Sequence, residues 1–212
     1  MDSRISGMLQ QIARQDVIEI GPAAGVGGPA ALAHVAEHYG FEYEAAYRTG
    51  HNGSQVLVRM YRDPRPDARA REAATLSAYP RAGNGGAAPG MLPGTLKPLP
   101  EAAEAVAHLT DMIKLDVMAQ AADKRLMLKG YGMCGALVLV LLIAGMPVGA
   151  LAGGAALAAF LAGCFKLGAV RRERIARRLI GAGFVPVRDE HGRQRFLRPG
   201  RQLPGHANPF AS

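Results

Sequence analysis

The chain has 212 residues, a formal net charge of +8, two cysteines and no tryptophan. The length allows one or two domains, and two cysteines are too few for a disulfide-built scaffold. The charge is uneven: residues 1–165 carry 14 basic and 14 acidic side chains, whereas residues 166–212 carry 11 basic and 3 acidic.

Residues 3–15 put Ile5, Met8, Leu9 and Ile12 on one helical face, with Asp2 or Ser3 as the cap. No apolar stretch accompanies this N-terminal sequence, so a cleavable signal peptide is not expected. Val17–Ile20 reads as a short strand, and a glycine-rich turn follows over residues 21–29. Pro29 then starts a helix to Tyr39, with Leu32, Val35, Ala36 and Tyr39 facing inward and Gly40 ending it. Residues 41–48 alternate, with Phe41, Tyr43, Ala45 and Tyr47 on one face. His51-Asn52-Gly53 marks a turn, and residues 55–62 return as a second strand with Val56, Val58 and Met60 on one side. Residues 1–63 therefore predict a small α/β unit ending in a β-hairpin.

Two short patterns in this unit bear on chemistry. His34-Val-Ala-Glu37-His38 matches the H-x-x-E-H zinc pattern, in which two histidines one turn apart face a metal and the glutamate acts as a base. A third ligand is required, and Glu101 and Glu104 are the acidic residues downstream. A polar helix face opposite Leu32 and Tyr39 is the expected role. Residues 16–27, with Glu19, Gly21, Gly25 and Gly27 before a helix, resemble the E-x-G-x-x-x-G segment of class I methyltransferases. That resemblance covers about 12 residues. It implies a cofactor approached by bare glycine backbone and a helix N-terminus. The fold it implies needs several more parallel strands than the rest of the chain leaves room for. A glycine-rich connection between short elements is therefore expected. No cofactor, metal or catalytic residue is assigned, and an enzyme is not expected.

Residues 64–100 hold seven prolines and the run Gly83-Asn-Gly-Gly86, which predicts a flexible linker with a helical turn or two over 68–78. Residues 101–129 are helical in pattern. Glu101 and Glu104 stand in the first turn, and Val106, Leu109, Ile113 and Val117 form a stripe.

Between Tyr131 and Phe165 no side chain is charged, a run of 35 residues. One membrane span needs ~20 apolar residues, so the run suits two short spans broken at Gly145-Met-Pro-Val-Gly149, where Pro147 cannot continue a helix. Residues 130–170 thus predict a transmembrane helical hairpin. A buried soluble hairpin is the competing reading, but the remaining chain offers little apolar surface to surround one. Lys124, Arg125 and Lys129 precede the run, and Lys166, Arg171, Arg172, Arg174, Arg177 and Arg178 follow it, while the turn carries no charge. By the positive-inside rule both ends are cytoplasmic. Cys134 and Cys164 read as small apolar fillers near those ends. Gly145, Gly149 and Gly153, with Ala159 and Gly163, repeat at the four-residue spacing that lets helices approach closely. They serve either a homo-oligomer or the packing of span two on span one.

Residues 171–199 predict a basic helix and a β-hairpin around Asp189-Glu-His-Gly192, and 200–212 a disordered tail. The two ends of the chain share a helix–strand–strand layout, so their strands have the means to join one sheet.

The expected fold class is therefore a membrane-anchored α+β protein: a two-helix transmembrane hairpin, a small cytoplasmic α/β N-terminal unit, and a basic helix plus β-hairpin at the C-terminus. The expected setting is a bacterial inner membrane crossed twice. The expected role is a non-enzymatic anchor, adaptor or subunit of a membrane assembly. Its partners would be the lipid bilayer, anionic phospholipid head groups facing the six basic residues from Lys166 to Arg178, an unknown protein, and a second copy through span two. Two alternatives are nucleic-acid binding by the basic segment, and delivery of the hairpin into another membrane.

Overall fold

The computed structural model describes residues 3–121, 132–133, 135–136, 138–140, 143–145, 147–188 and 194–199. The expected tail 200–212, the turn over 189–192, Cys134 and the last residues of the helix predicted to reach 129 lie outside them.

The chain divides into two compact units. One is built from both ends, Met1–Val117 with Gly183–Ser212, and the other is Met118–Ala182. In the first, α1 (Ser3–Ile12), β1 (Val17–Ala23), α2 (Gly27–His38), β2 (Phe41–Thr49), a short 3-10 turn (His51–Gly53) and β3 (Gln55–Arg62) lead into α3 (Pro66–Ala78) and α4 (Pro100–Ala121). The second carries the long helix α5 (Pro147–Gly181), which ends one residue short of the first unit's return. There β4 (Val185–Arg188) and β5 (Gln194–Leu197) complete the first unit. Where described, residues between 132 and 143 are helical.

The first unit is organised by a three-stranded antiparallel sheet in the order β1-β3-β2. Val56, Val58 and Met60 alternate inward along the central strand, and Ile18 and Ile20 do so along β1. α2 packs on this sheet, and α1 packs on α2 and β1. Ile5, Met8, Ile12, Leu32, Val35 and Ala36 fill the layer between them.

One expectation is corrected here, and two open possibilities are closed. The strict alternation read for β2 breaks at a β-bulge between Tyr43 and Ala45. The extra residue shifts the pleat, so Ala45 and Ala46 are both buried and Tyr43 only partly so. The two chain ends do not share a sheet: β4 and β5 form a separate antiparallel pair. The antiparallel sheet also differs from the parallel one that a methyltransferase-like segment would require. Gly21, at the centre of that segment, sits at φ +121°, and a Cβ there would fall 2.6 Å from the Val56 carbonyl oxygen. Its glycine therefore serves strand packing.

Residues 64–100, read as a linker, carry α3 and bury Ala88, Pro89 and Met91. The prolines and glycines there make turns that hold a few apolar side chains in the core. In α4, Val106, Leu109 and Ile113 are buried.

Among the described residues of the second unit one helix, over Ala152–Gly181, is long and apolar enough to cross a membrane. Met133, Leu139, Val140, Ile143, Val148, Phe160 and Leu167 are all exposed large apolar residues. A soluble domain buries such side chains.

Candidate functional site

The first unit concentrates its polar chemistry where the C-terminal segment meets α2, β2 and α4. Two charged contacts reach the backbone at the bulge in β2. Asp116 of α4 supplies one: its Oδ2 accepts from the Ala46 N–H at 3.0 Å and from the Tyr43 hydroxyl at 2.6 Å. Arg195 of β5 supplies the other, donating from Nη1 to the Glu44 carbonyl at 2.8 Å and to Asp116 Oδ2 at 3.0 Å. Both ionic side chains are largely buried. Burial, with the Asp116 carboxylate alongside, pushes the Tyr43 hydroxyl far above its usual range, so it stays a donor.

A second pair lies on α2. Arg198 Nη2 donates to Glu37 Oε2 at 2.9 Å. Burial pushes the Glu37 carboxyl up, against the opposing pull of Arg198. Next to it, burial also raises Glu42, which accepts from the Tyr61 hydroxyl at 3.0 Å. Asp63, 3 % exposed, is held by a two-pronged contact from Arg65 at 3.0 and 2.7 Å. Phe184, entering β4, stacks edge-on against His108 of α4 with centroids 5.5 Å apart.

The H-x-x-E-H residues separate in function. Glu37 turns to Arg198, while His34 and His38 meet edge to face with centroids 4.9 Å apart. His34 is buried and neither ring nitrogen has a hydrogen-bond partner. Burial lowers its pKa to about 4, with lesser contributions from His38 and Arg198. It is therefore neutral at pH 7. Among the described residues no group of three or more His, Cys, Asp or Glu stands together as metal ligands. Glu101 and Glu104, the acidic residues considered as a third ligand, lie in the first turns of α4.

A cavity of about 220 Å³ lies between α1, β1 and the start of α2, lined by Arg4, Gln11, Glu19, Gly21, Pro22 and Leu32 among others. It adjoins the glycine segment, but Glu19 presents its backbone N–H to Gln11 there.

In the second unit α5 is two-sided. Gly154 faces Val138, whose Cγ2 would lie 2.5 Å from an added Cβ. Continuing along the same side, Ile175 and Leu179 are buried. Gly153, Ala159 and Gly163 are exposed, Ala159 and Gly163 on the opposite side and Gly153 at its flank, and the two glycines have open space around them. Gly145 takes φ +75° in a turn, and Gly149 lies in the first turn of α5. Lys166, Arg171, Arg174, Arg177 and Arg178 are exposed, and Arg172 is half-buried. Arg177 pairs with Glu173 at 2.9 Å. Cys164 is exposed.

Sequence reasoning missed Asp116, Arg195 and Arg198. Each is an ordinary charged residue in an amphipathic element, and only the fold reveals its partner. Comparison with protein-family models, curated proteins and solved structures finds no match.

Proposed function

We propose that this chain is a twice-spanning membrane protein that displays a folded unit on the cytoplasmic face of a bacterial inner membrane. It acts there as a non-enzymatic anchor or adaptor in a larger assembly. One observation carries the reading: residues on both sides of the apolar segment belong to one compact unit. Asp116 precedes the segment and Arg195 follows it, yet they are 3.0 Å apart. A chain whose two ends share a folded unit has both ends on one side of a membrane. It therefore crosses an even number of times. α5 supplies one crossing, and the uncharged residues 131–146 supply the other.

Three further features support this topology. Gly145 adopts a left-handed turn just before Pro147. Val138 lies against Gly154, as two antiparallel spans would bring it. The unit Met118–Ala182 carries nine Lys or Arg and two Asp or Glu, nearly all the net charge of the chain, and all of it outside the apolar run. Within the uncharged run no Asp, Glu, Lys, Arg or His offers a relay for protons or ions. The exposed Gly153, Ala159 and Gly163 supply a close-approach surface for a second copy or a partner helix.

The topology is tested by labelling a Val148→Cys variant, in a background lacking Cys134 and Cys164, in intact cells and in spheroplasts. Labelling of position 148 from outside, with both termini protected from protease, is expected. Protection of position 148 together with release of the protein from washed membranes would overturn the reading. It would favour delivery of the hairpin to another membrane.

A further inference from the structure

The basic residues after the apolar run do not form a separate surface helix. α5 runs without interruption from Pro147 to Gly181, 35 residues or ~52 Å. None of Gly153, Gly154, Gly163, Gly168 and Gly181 has a left-handed φ that would mark a break. The direction taken by the apolar half is therefore the direction kept by the basic half. A helix that crosses a bilayer and continues in the same direction leaves the surface behind. Its side chains then sample different depths in a calculable order.

The arithmetic divides the cations. The head-group layer on each side of the hydrocarbon is roughly 5–7 Å thick, and each residue advances ~1.5 Å. Lys166 is the first charge after the apolar run, so it marks the boundary. Arg171 stands ~8 Å beyond it and Arg178 ~18 Å beyond it. Even at a steep tilt of ~40° Arg178 remains ~14 Å out. Electrostatic attraction to an anionic surface falls off within a Debye length of ~8 Å at physiological salt. Lys and Arg stems fold back toward an interface from one or two turns away, which keeps Lys166 and Arg171 in contact. The same reach does not return Arg177 and Arg178. Arg177 is, besides, committed to Glu173 on its own helix.

We infer that Lys166 and Arg171 form the contact of this protein with the phosphate groups of anionic phospholipids, while Arg177 and Arg178 stand beyond the head groups and take no part in lipid selection. This rests on the membrane-spanning reading above and narrows it. Of six basic residues that look equivalent in sequence, the first two and the last two become separate tiers, set apart by the rigid continuation of one helix. Charge complementarity names the occupant of the inner tier: the exposed cations at the edge of an apolar segment meet the one layer of fixed negative charge found there.

The test uses the full chain reconstituted into vesicles of phosphatidylcholine containing phosphatidylglycerol as the minority lipid. Spin-labelled versions of the two lipids report their relative association with the protein. Two variants remove the same charge, Lys166→Gln/Arg171→Gln and Arg177→Gln/Arg178→Gln. The inner pair should lose most of the preference for phosphatidylglycerol, a fall of about fivefold or more, the scale of one cation near an anionic surface. The outer pair should change it by less than about twofold, because its charges are screened. The charge-conserving Lys166→Arg/Arg171→Lys should keep the preference, which separates lipid contact from misfolding. Equal losses from both pairs would mean that the basic segment lies along the surface, and would overturn the inference. So would no loss from either. Failure of the unaltered protein to float with these vesicles would instead overturn the membrane-spanning reading itself.

Discussion

Arg195 and Asp116 face each other at 3.0 Å across a sequence separation of 79 residues, and together they close the bulge in β2. Asp116 takes the Ala46 N–H, and Arg195 covers the Glu44 carbonyl. Because the pair is largely buried, removing either partner costs the other an opposite charge held at 3.0 Å. Asp116→Ala should destabilise the first unit by about 3 kcal/mol. Arg195→Ala should cost less, because the Tyr43 hydroxyl and the Ala46 N–H still satisfy Asp116. A double-mutant cycle by chemical denaturation should return a coupling of about 1–3 kcal/mol. Strictly additive losses would show that the contact contributes nothing in solution.

His34 makes stability depend on pH, and the sign follows from its environment. Its folded pKa, about 4, lies below the unfolded value. The unfolded chain therefore takes up the proton first as pH falls. The stability this histidine contributes is complete above pH ~6.5 and is lost progressively toward pH ~4, by about 3 kcal/mol at most. His38, lowered by burial, acts in the same direction, and Glu37, raised by burial, acts in the opposite one. His34→Leu also removes two unpartnered buried nitrogens. Thermal melts should show a smaller decline between pH 7 and pH 4.5 for His34→Leu than for the unaltered chain. An identical decline would assign the acid sensitivity elsewhere.

Gly90 fixes the wall beside that ring. It sits at φ +67°, and a Cβ would lie 2.8 Å from His34 Nε2 and 2.9 Å from the Ala102 Cβ. Gly90→Ala combines a left-handed conformation, costing about 1–2 kcal/mol, with displacement of α4 or of the imidazole. A loss of about 2 kcal/mol or more is expected. The His34 ring resonances, followed by NMR, should titrate closer to the ordinary value of 6.5 as the ring is uncovered. Unchanged stability would mean that residues 88–91 move aside freely.

The two adjacent glycines of α5 should respond differently to bulk. Gly154 faces Val138, whereas Gly153 faces open space. Gly154→Leu should disturb the packing of α5 against Val138 and, on the proposed topology, lower the yield of membrane-inserted protein. Gly153→Leu should leave insertion intact and change only association with other helices, read by crosslinking in the membrane. If Gly153→Leu alters neither self-association nor captured partners, the exposed small-residue side is lipid-facing surface and nothing more.

Much of the molecule is legible in local sequence, because the properties concerned are local. A run of 35 uncharged residues between clusters of Lys and Arg names the apolar segment without any knowledge of its neighbours. The 3.6-residue spacing of Ile5, Met8 and Ile12, and the alternation of Val56, Val58 and Met60, likewise name their buried faces. The bulge in β2 leaves no such trace, since one inserted residue reads like any other. The prolines and glycines of 64–100 are compatible with a loose linker, and the burial of Met91 follows only from where the chain is led. Above all, tertiary structure decided which charges meet. Arg198 and Glu37 are separated by 161 residues, and nothing in either neighbourhood marks them as partners. Sequence records which side chains prefer water or apolar surroundings. Only the folded path brings both sides of the apolar segment into one unit, because that closure depends on contacts between residues far apart in the chain.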